Sequence, residues 1–363
     1  MRLLLALLLA CTFAAAGEVD RELLEKHVRT LASEEFQGRL GPGARKAETY
    51  VADAFRAAGL AVRIEETKAL GNMPCRNVVG IRQAGKEPAG EHVIVSAHYD
   101  HLGYRNGKLH PGAGDNAAGV AALLELARVL EPPPGRDLLF LAFDLEEWGL
   151  WGSRRYCEAP VRPLAECAFF VTMDILGRNL VDATEGILFC VGLERSEGLF
   201  EALAKVAPAD GLTPAFAGAD IVGDRSDFAG FRDKEVPFVF FSAGEFGDYH
   251  LPTDTADRLD FPKLAREAGF ILAATRAMLA APRPRFAKEP VSRVEEAASM
   301  DLVVGQLLAK KEALGMSDTE AKMGGLFRNF LQGVVKSGKM EPAQRQQLVG
   351  TCAMLMQMLQ SNR

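Results

Sequence analysis

The stretch Asp137-Leu138-Leu139-Phe140-Leu141-Ala142-Phe143-Asp144-Leu145-Glu146-Glu147-Trp148-Gly149-Leu150 decides the fold. Leu138 to Phe143 carries no polar residue, which suits a strand buried on both faces of a sheet covered by helices. Working outward, runs of the same kind occur at Asn77 to Ile81, His92 to Ala97, Ala168 to Met173, Ile187 to Val191 and Val236 to Phe241. Helical patterns lie between and around them. Ala47, Tyr50, Val51, Ala54 and Phe55 recur at helical spacing between Arg45 and Ala58, and Gly59 stops that helix. Others are expected at Ala117 to Leu130, Gly149 to Cys157, Glu197 to Ala207 and Pro262 to Met278. The alternation predicts an α/β three-layer sandwich with a mixed, mostly parallel central sheet flanked by helices.

The texture changes at the two ends. Arg2 precedes a wholly apolar run, Leu3 to Ala10, then Ala14, Ala15 and Ala16. Residues 1–16 therefore read as a secretory signal, and the protein as secreted or periplasmic; lipid anchoring at Cys11 is the weaker reading. Residues 17–283 form the expected catalytic domain. After Pro282-Arg283-Pro284-Arg285 no strand signal remains, and apolar residues recur at helical spacing through Leu302 to Leu314, Leu326 to Val335 and Leu348 to Leu359. Residues 284–363 are expected to be a small all-helical module that packs against the sheet, with capping of the pocket and self-association as the alternative roles.

Composition narrows the function classes. The chain has 363 residues, 42 basic against 48 acidic side chains and a formal charge of −6. With the basic residues dispersed, there is no stripe to follow a phosphate backbone, so nucleic acid is not an expected partner. Beyond residue 20 no apolar run reaches the ~18 residues a membrane helix needs, so no integral membrane segment is expected. Without Cys11, five cysteines remain, at 75, 157, 167, 190 and 352, with no CxxC pair. They read as packing residues, with a Cys157–Cys167 disulfide as the alternative.

Chemistry-bearing residues fall at the expected strand ends, where open α/β sheets bind ligands. They come in five segments: His98-Tyr99-Asp100-His101; Gly112-Ala113-Gly114-Asp115-Asn116; Asp144-Leu145-Glu146-Glu147; Met173-Asp174; and Tyr249-His250-Leu251-Pro252-Thr253-Asp254. Each has an ordinary reading alone. Asp115 could cap a helix, and His98 could be a satisfied histidine. The pair Glu146-Glu147 is harder to dismiss, because like charges at a buried strand end need a cation or a retained proton. One carboxylate could hold metal while the other takes a proton from water. Asp100 could orient His98, and Asp254 could serve as an acceptor behind His250. Two imidazoles with three or four carboxylates and no thiolate suit zinc better than calcium. A pair of zinc ions ~3.5–4 Å apart would polarise a carbonyl and activate water at neutral pH, which points to amide hydrolysis.

Taken in order, these segments resemble the co-catalytic zinc exopeptidases of the bacterial leucyl aminopeptidase type (peptidase clan MH, family M28). The resemblance also takes in Leu31 to Arg39 and Asn77-Val78-Val79-Gly80, and omits the C-terminal module. It implies that His98 and Asp174 hold one zinc, that Glu147 and His250 hold the other, and that Asp115 bridges them. Glu146 is then the general base, Asp100 stands behind His98, and Tyr249 helps stabilise the oxyanion. It also implies a cis peptide at Asp115-Asn116. The family's Ser-Asp-His is here Ser226-Asp227-Phe228, so that histidine's role is missing. His101 is expected beside the pocket and His110 in a loop. The resulting expectation is a secreted aminopeptidase acting on peptides with a free N-terminus, with oligomeric state open. A one-zinc glutaminyl cyclase and a non-catalytic binding module are the alternatives.

Overall fold

The apolar runs assemble into one eight-stranded sheet in the computed structural model, which describes residues 17–361. The expected signal segment, with Cys11, lies outside the described residues. The strands are β1 (Ala61–Lys68), β2 (Pro74–Arg82), β3 (Glu91–His98), β4 (Arg136–Phe143), β5 (Cys167–Met173), β6 (Ile187–Val191), β7 (Thr213–Ala217) and β8 (Phe238–Ser242). Their order is β1-β2-β4-β3-β5-β8-β6-β7. The central four, β4, β3, β5 and β8, run parallel. β2 is antiparallel to both of its neighbours, and the pair β6–β7 is antiparallel to β8.

The edge strands β1 and β7 give no continuous apolar signal. β1 reads Ala-Val-Arg-Ile-Glu-Glu-Thr-Lys and has one face in solvent, and β7 contains Pro214, which edge strands tolerate. Sequence reading therefore passes over both, together with the first helix.

One side of the sheet is covered by α1 (Arg21–Leu31), α2 (Pro42–Ala57), α3 (Ala118–Val129) and α5 (Phe261–Ala280), in a core that includes Phe55, Leu123, Phe140, Phe169 and Ile271. α4 (Trp151–Glu158) lies on the other side. With it pack the C-terminal helices α6 (Val294–Ala309), α7 (Asp318–Ser337) and α8 (Pro342–Ser361). Met300, Val303, Leu331 and Leu348 share one buried apolar cluster with Ile94, Leu139 and Phe170 of the sheet. The C-terminal helices thus supply much of the second helical layer.

These three helices begin eight, eight and six residues before their expected starts, because the first turns are polar. Ser317 and Glu320, for example, form a reciprocal capping box at the start of α7. The helix expected over Glu197 to Ala207 is shorter, Leu199–Leu203. All five described cysteines are buried and free, so Cys157 and Cys167 are not bridged.

A buried ion network fastens α8 to the rest. Arg345 donates to Asp220 through both terminal nitrogens, at 2.7 and 2.8 Å, and to Glu296 at 2.9 and 3.2 Å. Glu296 in turn accepts from the Gly218 amide at 2.9 Å. Removing the cation leaves the buried Glu296 carboxylate without its charge partner, beside the Asp220 carboxylate at the surface. We expect Arg345→Met to cost about 3–5 kcal/mol, read as a lower urea midpoint by circular dichroism. An unchanged midpoint would mean that the network does not clamp the helix.

Candidate metal centre

The parallel strands end together, and each end delivers part of one acidic cluster. His98 is the last residue of β3, Asp174 follows β5, and Glu146 and Glu147 follow β4 after the turn at Leu145. The loop after β8 brings in His250. Leu145, Ile175 and His250 all have φ near +60°, so the chain turns sharply beside three of these groups. Such conformations recur at ligand sites held by surrounding structure.

Asp115 lies between two donor sets. Its Oδ1 is 3.3 Å from His98 Nε2, which is also 3.2 Å from Asp174 Oδ1. Its Oδ2 is 3.2 Å from His250 Nε2, which is 2.8 Å from Glu147 Oε2. Glu146 Oε2 stands on the His98 side, 4.0 Å from Nε2. All five expected metal ligands and the expected base are therefore brought together. Tyr249 lies flat on the His250 ring, with centroids 3.9 Å apart and planes at 18°.

Supporting residues fix these groups. Asp100 is fully buried; its Oδ1 lies 3.4 Å from His98 Nδ1 and accepts from the Glu146 amide at 3.0 Å, while Oδ2 accepts from the Glu147 amide at 3.3 Å. The end of β3 is thereby tied to the glutamate turn. Asp254 does not stand behind His250 as its spacing suggested. Its carboxylate accepts from the Gly114 amide at 2.9 Å and the Asp115 amide at 3.1 Å, so it shapes the loop that presents Asp115.

Arg39, buried and 76 residues from Asp115, donates to the carbonyls of Leu31, Tyr99, Pro111, Gly112 and Asp115. The Asp115-Asn116 peptide is cis, where the resemblance places it. Asn116 ties the loop to β5 by donating to the Met173 carbonyl at 3.0 Å. Gly119 leaves room for that contact: a Cβ there would run into the Asn116 side chain and the Met173 carbonyl.

His101, expected only as a neighbour, is 2.6 Å from Glu147 Oε1 through Nδ1. It takes one oxygen of Glu147 and leaves the other facing His250. His110 stays outside the cluster, beside the Lys108 carbonyl. Asp227, quoted in the sequence only for the missing histidine after it, is buried with neither carboxylate oxygen hydrogen-bonded. Its neighbour Ser226 donates to Asp174 Oδ2 at 3.1 Å. A polar pair ahead of a strand was the only sequence signal for these two.

The electrostatics are those of a cation site. Burial opposes charge on His98, yet Asp174 and Glu146 hold its proton affinity well above the ordinary histidine value. His250 is pushed up to about 10, with Asp115 and Glu147 overcoming burial. Burial would raise Asp115, but His250 and His98 hold it well below the usual carboxylate range. Glu146 is raised well above that range by burial and then by Asp174 and Asp227.

The His250 Nε2 geometry tests whether a metal fits. This nitrogen stands 2.8 and 3.2 Å from one oxygen each of Glu147 and Asp115 without hydrogen-bond geometry to either, so on this side of Asp115 an imidazole nitrogen and two carboxylate oxygens converge without bonding through it. Imidazole nitrogens mixed with carboxylate oxygens, and no thiolate, fit zinc.

Comparison with known proteins points the same way. Aminopeptidase YwaD of Bacillus subtilis (strain 168) is 27% identical over 216 residues, covering 57% of this chain and 45% of the relative. The uncharacterised protein YfbL of Escherichia coli (strain K12) is 29% identical over 261 residues, covering 61% and 76%. The chain thus spans less than half of the aminopeptidase relative. Among solved structures, an aminopeptidase from Aneurinibacillus sp. strain AM-1 superposes with a TM-score of 0.58 at 17% identity, over 76% of this chain and 97% of that one. A glutaminyl cyclase from Porphyromonas gingivalis gives 0.57 at 16% identity, over 71% and 98%. Those two likenesses concern the fold. The model of peptidase family M28 matches residues 77–275. That segment is more than half of the sequence and contains every group of the acidic cluster, so the chain belongs to peptidase family M28.

Proposed function

We propose that this protein is an exported zinc aminopeptidase that removes terminal residues from peptides with a free amine, using two zinc ions. One observation carries the reading: the two oxygens of Asp115 face opposite donor sets, His98 with Asp174 and His250 with Glu147. These residues would hold the pair, with Asp115 between. Bound zinc supplies Lewis-acid polarisation of the peptide carbonyl and a lowered pKa for water.

The remaining work falls to the chain. Glu146 takes the water's proton on its carboxylate and passes it to the leaving amine. Tyr249, whose phenol is held protonated by burial and then by Asp115 and Glu147, donates toward the developing oxyanion. Asp100 and His101 hold His98 and Glu147 in place. Export is supported by the leader-like residues 1–16.

The test is a fluorogenic panel of free-amine and N-blocked peptides, assayed with and without chelator, alongside zinc counted per chain. Chelator-sensitive cleavage of free-amine substrates with two zinc ions is expected. One zinc with cyclisation of a glutaminyl peptide would replace the reading by a cyclase, and two zinc ions without hydrolysis by a binding module.

A narrower prediction concerns Asp100. Both of its oxygens face amide donors or an imidazole, and an amide –NH2 in place of either would meet an N–H. Asp100→Asn is expected to weaken zinc binding by about 10–100-fold, measured by competition with a chelator of known affinity. Wild-type affinity would remove Asp100 from its supporting role.

A further inference from the structure

Large apolar side chains stand exposed in two places among the described residues. Leu302, Leu326, Val335 and Met354 are on the C-terminal helices, and Tyr104, Trp148 and Leu251 are near the metal centre. Trp148 follows Glu147 and Leu251 follows His250, so both flank the same donor set. That set is also the one open to solvent: the His250 side chain is 36% exposed, whereas those of His98 and Asp174 are 1% and 9%.

Tyr104 belongs to a hairpin that follows His101. Gly103–Arg105 pairs with Lys108–His110 across the turn Asn106-Gly107, whose φ angles of 52° and 72° suit a type I′ turn. Its base is packed on the chain, since a Cβ at Gly38 would run into Gly103 and the His110 carbonyl. The Arg105 guanidinium lies over the Trp148 ring, 5.7 Å from its centroid, so the hairpin meets the residue after Glu147. The turn sets Arg105 directly opposite Lys108. Like charges so placed destabilise a hairpin, and neither cation has an ion-pair partner among the described residues.

We propose that Arg105 and Lys108 bind a carboxylate on the leaving side of the scissile bond, supplied by the C-terminus of a short peptide or by an acidic side chain. The inference rests on the peptidase reading and names a substrate class for that site. A peptide cleaved here runs out past the open His250 side and across Trp148, each residue carrying it ~3.3–3.6 Å. A carboxylate one or two residues beyond the bond then meets the two cations and relieves their repulsion. Exposed charge pairs are weak and screened by salt, so the preference is modest, about fivefold, and falls as salt is raised.

Two pairs of peptides separate the sources of the carboxylate. Leu-Ala against Leu-Ala-amide reads the C-terminus, and Leu-Glu-amide against Leu-Gln-amide reads the side chain. On the zinc-loaded full chain, kcat/KM is measured for all four. Calorimetric binding of the same four compounds, with a methylene-amine link in place of the scissile amide, gives a readout that needs no turnover.

Wild type is expected to favour the carboxylate member of at least one pair about fivefold in both readouts, and by less at high salt. Arg105→Met combined with Lys108→Met is expected to abolish the preference. Lys86→Met, which removes an exposed cation from the loop before β3, at the end away from His98, is expected to keep it. No preference in either pair, or equal losses in the two variants, would overturn the proposal. Binding preference without hydrolysis of any of the four peptides would sink the peptidase reading and keep the carboxylate site. Hydrolysis without preference would do the reverse.

Discussion

Glu146→Gln is expected to lower kcat by about 10²–10⁴-fold while bound zinc stays at the wild-type amount. Glu146 Oε2 is 4.0 Å from His98 Nε2, farther than Asp115 or Asp174, whose oxygens stand at 3.3 and 3.2 Å. It borders the donor set without being one of its closest members. Its backbone amide is held by Asp100 at 3.0 Å, and that bond is unchanged when the side chain becomes an amide. Glutamine keeps the shape and loses only the capacity to take a proton. Steady-state kinetics paired with elemental analysis of the purified variant separates the outcomes. Wild-type turnover would exclude Glu146 as the base. Loss of zinc along with rate would make it a ligand, since its carboxylate, His98 and Asp174 have donor atoms within 4.8 Å of one another.

What could be read in the sequence, and what could not, follows from the range of the forces involved. The central strands were legible because a strand covered on both faces has no polar alternation: Leu138 to Phe143 can be read without knowing its neighbours. The segments with His98, Glu146-Glu147 and Asp174 were legible because each sits at the end of such a strand, where an isolated charge needs compensation, and Asp115 because glycines flank it at the start of a helix. Arg39 was quoted only as part of a motif. Its five carbonyl partners lie between Leu31 and Asp115, and no local pattern marks a guanidinium that organises a loop 76 residues away. Asp254 shows the opposite error. Its spacing of four from His250 suggested a local partnership, but the carboxylate bonds amides 139 and 140 residues distant. His101 was expected only beside the pocket. Only the folded geometry reveals that it fixes one oxygen of Glu147. The C-terminal helices were foreseen, with capping of the pocket only one of three roles open to them, because apolar periodicity marks a buried face without naming what it is buried against; in the structure residues of α6 and α8 line a cavity shared with Asp174.

Asp115→Asn carries the second large effect, and its value lies in separating metal binding from folding. The loop around Asp115 is held by main-chain groups: Arg39 bonds the Asp115 carbonyl at 3.1 Å, and Asp254 bonds the Asp115 amide at 3.1 Å. Neither bond uses the Asp115 side chain, so the substitution leaves the scaffold that presents it. What changes is the second oxygen, which becomes an –NH2 with no lone pair for a cation, and one negative charge opposite two imidazoles. With chelator present, variant and wild type should therefore unfold at nearly the same temperature. With zinc added, wild type should be stabilised by RT ln(1 + [Zn]/Kd), and the variant by much less, because every occupied site that shares Asp115 is weakened together. The loss of kcat/KM should exceed the about 10–100-fold caused by removing a supporting hydrogen bond, and the zinc count should fall by at least one per chain. If the variant keeps the full zinc count and the full zinc-induced rise in unfolding temperature, Asp115 does not bridge, and the two donor sets act as independent sites.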